Sequence, residues 1–264
     1  MSTEHLELDA EYGALAFDCY VVDHWKDDSP EESQQQWERL VWEYQRLSLK
    51  ERNKYHHRTQ SIPMEITPTH VQILRTHQTI YERNLGIPNC TGIQTVWLRT
   101  CYDADVAEKY ADMKADAYVI GDKVLDDPAR YAFAEDWRMV LGRMPGITDF
   151  WGLSDQNGDG AMLKYRSGLD DGAIRAQYER IEDADAQTLA LKALEFQALL
   201  YLVDREAIET GLIKLLWLDE HGCSAWENRV APASMYQLAG ALLGATGLGE
   251  LTQGNATRGC LIEL

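Results

Sequence analysis

Trp37, Leu40, Val41, Tyr44 and Leu47 recur at helical spacing and form one apolar stripe. Ser29, Pro30 and Glu32 stand just ahead of it, as a capping box with proline at the first helical position. The pattern predicts a helix from Pro30 to near Tyr55. Thr67-Pro68 repeats the cap-then-proline start, and Val71, Leu74 and Ile80 supply an apolar face before Gly86 and Pro88. Ala14 to Trp25 mixes aromatic and β-branched residues and reads as a strand. Gly92 to Thr100 reads as a second strand, followed by a helix to about Lys114 capped by Asp103 or Asp105. Ala117 to Ile120 reads as a short strand, and Asp127-Pro128 opens a helix ending near Gly142.

Residues 144–168 are rich in Gly, Asp, Asn and Ser, the composition of a domain joint or a site loop. Beyond Asp170 the pattern turns helical. Segments 173–181, 189–203 and 213–218 read as helices, and Pro232 opens another to about Ala245. Residues 189–203 are mostly apolar, broken by Lys192, Glu195 and Gln197. The expected fold class is therefore α+β and predominantly α-helical, with a mixed N-terminal portion and a C-terminal helical bundle. A single helix-dominated domain over 1–264 is expected, because no Pro- or Ser-rich linker divides it; a boundary near 150 is the alternative.

Charge changes the functional picture. The chain of 264 residues carries 25 Lys+Arg and 43 Asp+Glu, a net of −18. That repels polyphosphate and argues against a general nucleic-acid binder. Residues 231–249 carry no formal charge, but Pro232, Ser234, Gln237 and four glycines fit a buried helix and turn better than a membrane span. The acidic start MSTEHLELDAEYG has neither the basic residues nor the apolar run of a secretory leader. Five cysteines without a C-x-x-C pair point to reduced thiols and a cytoplasmic protein.

Four groups of residues carry candidate chemistry. Asp155, Asn157 and Asp159, with Gly160, match the front half of a calcium loop, although Arg166 stands where the bidentate glutamate belongs; a plain turn explains the same residues. Asp103 and Asp105 follow a predicted strand and could hold Mg²⁺ beside a phosphate, with Asp126 joining them; helix capping is the simpler role. Arg46, Lys50, Lys54 and Arg58 recur every four residues as a basic ridge suited to phosphate, or to pairing with the chain's own acids. Residues 170–220 hold twelve acids against five bases, and Asp183, Asp185, Glu206 and Glu209 are the candidate contacts to a basic protein. Trp151, beside the Gly/Asp loop, is the aromatic best placed to touch a partner.

Two functions follow as expectations. The first is an acidic, inhibitor- or immunity-like protein that binds a basic partner protein. The second is a hydrolase or transferase acting on a phosphorylated substrate with Mg²⁺ or Ca²⁺, using Asp103, Asp105 and the basic ridge.

Overall fold

The computed structural model describes residues 12–61, 66–86, 95–117, 124–149, 198–218, 221–238 and 261–262. It shows an α+β fold richer in helix than in strand, with the strands interspersed. The helices are α1 (Ala16–His24), α2 (Ser33–Arg46), α3 (Leu49–Ser61), α4 (Pro68–His77), α5 (Ile80–Gly86), α6 (Ala107–Asp116), α7 (Pro128–Tyr131), α8 (Val140–Arg143) and α9 (Arg205–Thr210). The strands are β1 (Thr95–Arg99), β2 (Val124–Leu125), β3 (Ala198–Val203), β4 (Ile213–Leu218), β5 (Ser224–Val230) and β6 (Leu261–Ile262).

The strands form one sheet in the order β2-β1-β3-β4-β5-β6. β1 is parallel to both β2 and β3, β3-β4-β5 is antiparallel, and β6 is parallel to β5. Strands from both sides of residue 150 therefore share one sheet. Side chains alternate between its faces, so each face has its own core. Val96, Leu98, Leu200, Leu202, Leu216 and Leu218 pack on one face against Phe17, Trp37, Leu40, Tyr44 and Leu141 of the N-terminal helices and α8. Trp97, Leu199, Tyr201, Leu215 and Trp217 pack on the other, against Tyr110 and Met113 of α6 and Ile208 of α9.

The C-terminal helical bundle is corrected by β3, β4 and β5. Residues 198–203 and 213–218, expected as helices, are central strands. A strand covered on both faces is continuously apolar, and periodicity cannot tell such a run from a buried helix. Segments 173–181 and 189–197 lie outside the described residues. Pro232 opens a 3₁₀ turn that continues as helix to Leu238.

The opposite error occurs at 14–25, expected as a strand and folded as α1. Its residues 16 to 21 are all buried, so no polar face marks the helical period. The Asp18 carboxylate holds its start, accepting from the Gly13 and Leu15 N–H groups.

The expected helix 30–55 is two helices, and the one expected from Thr67 to Gly86 is also two. The breaks have the same chemistry. Ser48 and Glu51 form a reciprocal capping box that starts α3: the Ser48 N–H donates to Glu51 Oε2 at 2.9 Å, and the Glu51 N–H to Ser48 Oγ at 3.4 Å. Thr79 and Glu82 do the same for α5, at 2.7 and 3.2 Å. Ser29 instead caps a turn, accepting from the Glu31 N–H, and α2 begins at Ser33 behind an N-cap Glu32 with no side-chain bond. The Thr67 cap forms as expected, accepting from the His70 N–H. Asp127 also caps, but α7 stops at Tyr131, and the path to residue 143 is a 3₁₀ turn and α8 rather than one helix. Residues 118–120 lie outside the described residues, so the short strand expected at 117–120 does too.

Two ion pairs built on buried carboxylates tie α5 to α1 and to α8. Arg83 and Asp18, both 0% exposed, meet at 2.9 and 2.7 Å. Next to Arg83, the buried Glu82 accepts from Arg143 at 2.7 and 2.8 Å and from the Tyr131 hydroxyl at 2.8 Å. A second buried cation, Arg52, donates to the Tyr44 and Gln45 carbonyls, Thr148 Oγ1 and Asp149 Oδ1.

Candidate functional site

The chain leaves β1 for β2 through α6 on one face of the sheet, then returns to β3 through α7 and α8 on the other. β2 and β3 flank β1 on opposite sides, so the carboxyl ends of β1 and β3 form a topological switch point. In open sheets this is where ligands and partners are met. The Thr100 N–H donates to the Val203 carbonyl there, and the Ala134 N–H donates to the Thr100 carbonyl. Ala134 has φ +50°, the single positive value among the described non-glycine residues, so the loop over this end is held in an unfavourable conformation.

The chemistry at this end is ionic. Arg99 lies over the rings of Tyr102 and Tyr110, its guanidinium carbon 4.3 and 3.7 Å from their centroids, and reaches Asp126 at 3.4 Å. Asp126 also accepts from the Tyr110 hydroxyl at 2.6 Å and from Lys114 at 2.8 Å. Burial works to raise the Asp126 pKa, but Lys114, Tyr110 and Arg99 outweigh it and leave the group below the usual carboxylate range. Burial pushes the Cys101 thiol up, and that thiol donates to Asp103 Oδ2 at 3.5 Å.

Asp103 and Asp105 come together, and what lies between them is Arg205. The guanidinium reaches Asp103 at 2.8 Å and Asp105 at 2.6 Å, and Glu209 joins at 2.8 Å. The hydrogen bond from Arg205 lowers the Asp105 carboxyl below its ordinary value. Among the described residues no three His, Cys, Asp or Glu side chains gather as a metal-ligand group. Asp155, Asn157 and Asp159 lie outside the described residues, as do Trp151, Asp183 and Asp185.

Glu206 and Glu209 are exposed on α9, but the chain's own cations engage them. Glu206 pairs with Lys214 and with Arg229 at 2.7 Å, and those two hydrogen bonds lower its pKa. Asp204 also pairs with Lys214, at 2.6 Å. The basic ridge does not follow one helix, since Arg46 ends α2 and Lys50 and Lys54 belong to α3. Arg46 and Lys54 are exposed, and Arg58 pairs with Asp23.

A different set of acids faces solvent. Glu108, Asp112 and Asp116 are spaced every four residues along α6, opposite the buried Tyr110 and Met113, and all three are exposed. Asp105 extends the line towards the switch point. Among the described residues none of Glu108, Asp112 and Asp116 has an ion-pair partner. Sequence reasoning expected this helix without reading its acids, although their period is plain in the sequence. Arg99 and Arg205 gave no local signal, because the carboxylates of Asp126, Asp103 and Asp105 that they pair with come from distant segments.

No protein-family model, curated protein or solved structure matches this chain. Among the described residues, no helix is long and apolar enough to cross a membrane.

Proposed function

We propose that the protein is an acidic protein-binding module that takes a basic partner protein, in the manner of an inhibitor or immunity-like protein, through the outer face of α6. One observation carries this reading. Glu108, Asp112 and Asp116 form an exposed like-charge line that has no ion-pair partner among the described residues. Each i,i+4 pair of like charges costs a helix about 0.2–0.5 kcal/mol. Asp116 in addition sits at the carboxyl terminus, where the helix dipole disfavours an anion. Local stability accounts for Glu108, which lies in the first turn where the dipole favours an anion, but not for Asp112 and Asp116, whereas a cationic partner accounts for all three. The net charge of −18 would also speed encounter with such a partner.

The phosphorylated-substrate reading has less to draw on, since Arg205 occupies the position between Asp103 and Asp105. The test of the α6 reading uses a helical peptide with arginines at i, i+4 and i+8, titrated against the full chain at low and moderate salt. The triple variant E108Q/D112N/D116N is expected to weaken it about tenfold or more. The control D27N/D28N/E32Q removes the same charge from exposed positions elsewhere and is expected to leave affinity within about twofold. Equal losses from the two variants, or no binding by the unmodified chain, would overturn the assignment.

A further inference from the structure

Tyr236 is 64% exposed, the most of any large apolar side chain among the described residues. A tyrosine ring left in water beside a charged surface is a common anchor of protein interfaces, where tyrosine and arginine are enriched. The surroundings of Tyr236 are the α6 face. The Pro232–Ser234 turn that precedes it packs on α6. Met235 and Leu238, on either side of it, are buried in one layer with Tyr110 and Met113 of α6. The short helix 235–238 therefore lies beside α6 on the same face of the sheet, and both turn their outer sides to solvent. Packed helices run about 8–10 Å apart. One bound segment thus spans Tyr236 and the exposed carboxylates of Glu108, Asp112 and Asp116.

The fold itself shows which cation suits a phenol beside a carboxylate. Arg99 and Lys114 share the Asp126 carboxylate and the Tyr110 ring. The Arg99 guanidinium carbon stands 3.7 Å from the ring centroid, whereas the Lys114 ammonium stays 5.6 Å away. A guanidinium is planar and weakly hydrated, so it lies flat on a ring while its edge points at a carboxylate. An ammonium is a compact, strongly hydrated charge and gains less from the ring. Tyr236 and the α6 acids set the same two components on the outside of the molecule. We propose that Tyr236 is the aromatic anchor of this surface and selects arginine over lysine in the basic partner. One guanidinium stacks on the ring while its neighbours meet Glu108, Asp112 and Asp116. This inference rests on the α6 reading above and adds the identity of the cation.

The experiment titrates the full chain with the helical peptide bearing arginines at i, i+4 and i+8, and with its lysine counterpart. The arginine peptide binds about two- to fivefold more tightly, the range of an exposed cation–π contact. Tyr236→Leu keeps an apolar side chain but removes the ring, and it abolishes that preference by weakening the arginine peptide alone. Tyr236→Phe keeps the ring and the preference. Circular dichroism confirms that both variants fold, as expected for an exposed position. Equal affinity of the two peptides for the unmodified chain would overturn the proposal, as would a Tyr236→Leu variant that binds the arginine peptide unchanged or weakens both peptides alike. The two readings fail separately. If E108Q/D112N/D116N weakens the arginine peptide and Tyr236→Leu does not, the acidic face stands and the anchor falls. If only Tyr236→Leu weakens it, the α6 reading falls.

Discussion

The Tyr81 hydroxyl bonds both backbone groups of Val124, donating to its carbonyl at 2.9 Å and accepting from its N–H at 2.8 Å. Both groups of one strand residue point the same way, so this side chain closes the open side of edge strand β2 at that position. Exposed edges invite pairing with other chains, and here a single phenol covers the vacancy. Tyr81→Phe is expected to cost about 1 kcal/mol. It should also speed hydrogen exchange at the Val124 amide well beyond that at Leu98, which native-state exchange would resolve.

His77 makes stability depend on pH. Its ring stacks on Trp37 at 4.5 Å, and its Nε2 lies 3.2 Å from Ser33 Oγ. Burial, with Arg143 adding to it and Glu38 opposing, lowers its pKa from 6.5 to about 4. The folded state therefore favours the neutral ring. The stability this represents is complete above pH 6.5 and is lost as pH falls from 6.5 towards 4. The loss amounts to roughly 3 kcal/mol. Urea unfolding at pH 7, 5.5 and 4.5 should show it. His77→Phe, which keeps the stacking, should flatten this part of the profile.

Arg83 and Asp18 are both wholly buried, so removing one leaves an uncompensated charge. Arg83→Met is expected to cost about 3–5 kcal/mol. The double variant with Asp18→Asn should be more stable than Arg83→Met alone, since it removes the stranded carboxylate. A double-mutant cycle by urea unfolding measures the coupling.

Gly222 has φ +64°, and a Cβ there would lie 2.5 Å from Cδ1 of Leu141, a fully buried side chain. Gly222→Ala therefore meets backbone strain and a clash together, for about 2–3 kcal/mol. Gly211→Ala shares the positive φ but meets nothing within 4 Å, so it should cost only about 1 kcal/mol. Thermal unfolding of the two variants separates the contributions of strain and clash.

How far the fold could be read depended on whether an element shows one face to water. α2 does, and its stripe of Trp37, Leu40, Val41 and Tyr44 is buried as the spacing required. α1 and β3 do not. β3 is covered on both faces and α1 is buried over residues 16–21, so the pattern of each fits the other kind of element equally well. The breaks at Ser48 and Thr79 were written in the chain as S-x-x-E and T-x-x-E. The apolar positions run on through both breaks, so periodicity alone does not mark them. The site divides similarly. The proximity of Asp103 to Asp105 follows from their spacing, but Arg205 lies a hundred residues away in the chain and no local pattern announces it.

The pairing of Arg99 with Val203 in the β1–β3 register also has a consequence in time. A ribosome adding 5–20 residues per second needs roughly 5–20 s to cover the chain between them. During that interval β1 has only the two-residue β2 beside it, and Val96, Trp97 and Leu98 lack the strand that completes their cover. The N-terminal helices are complete long before the sheet they pack on. Nascent chains halted before residue 198 should thus expose this apolar seam and depend on chaperones, whereas those halted beyond β5 should not.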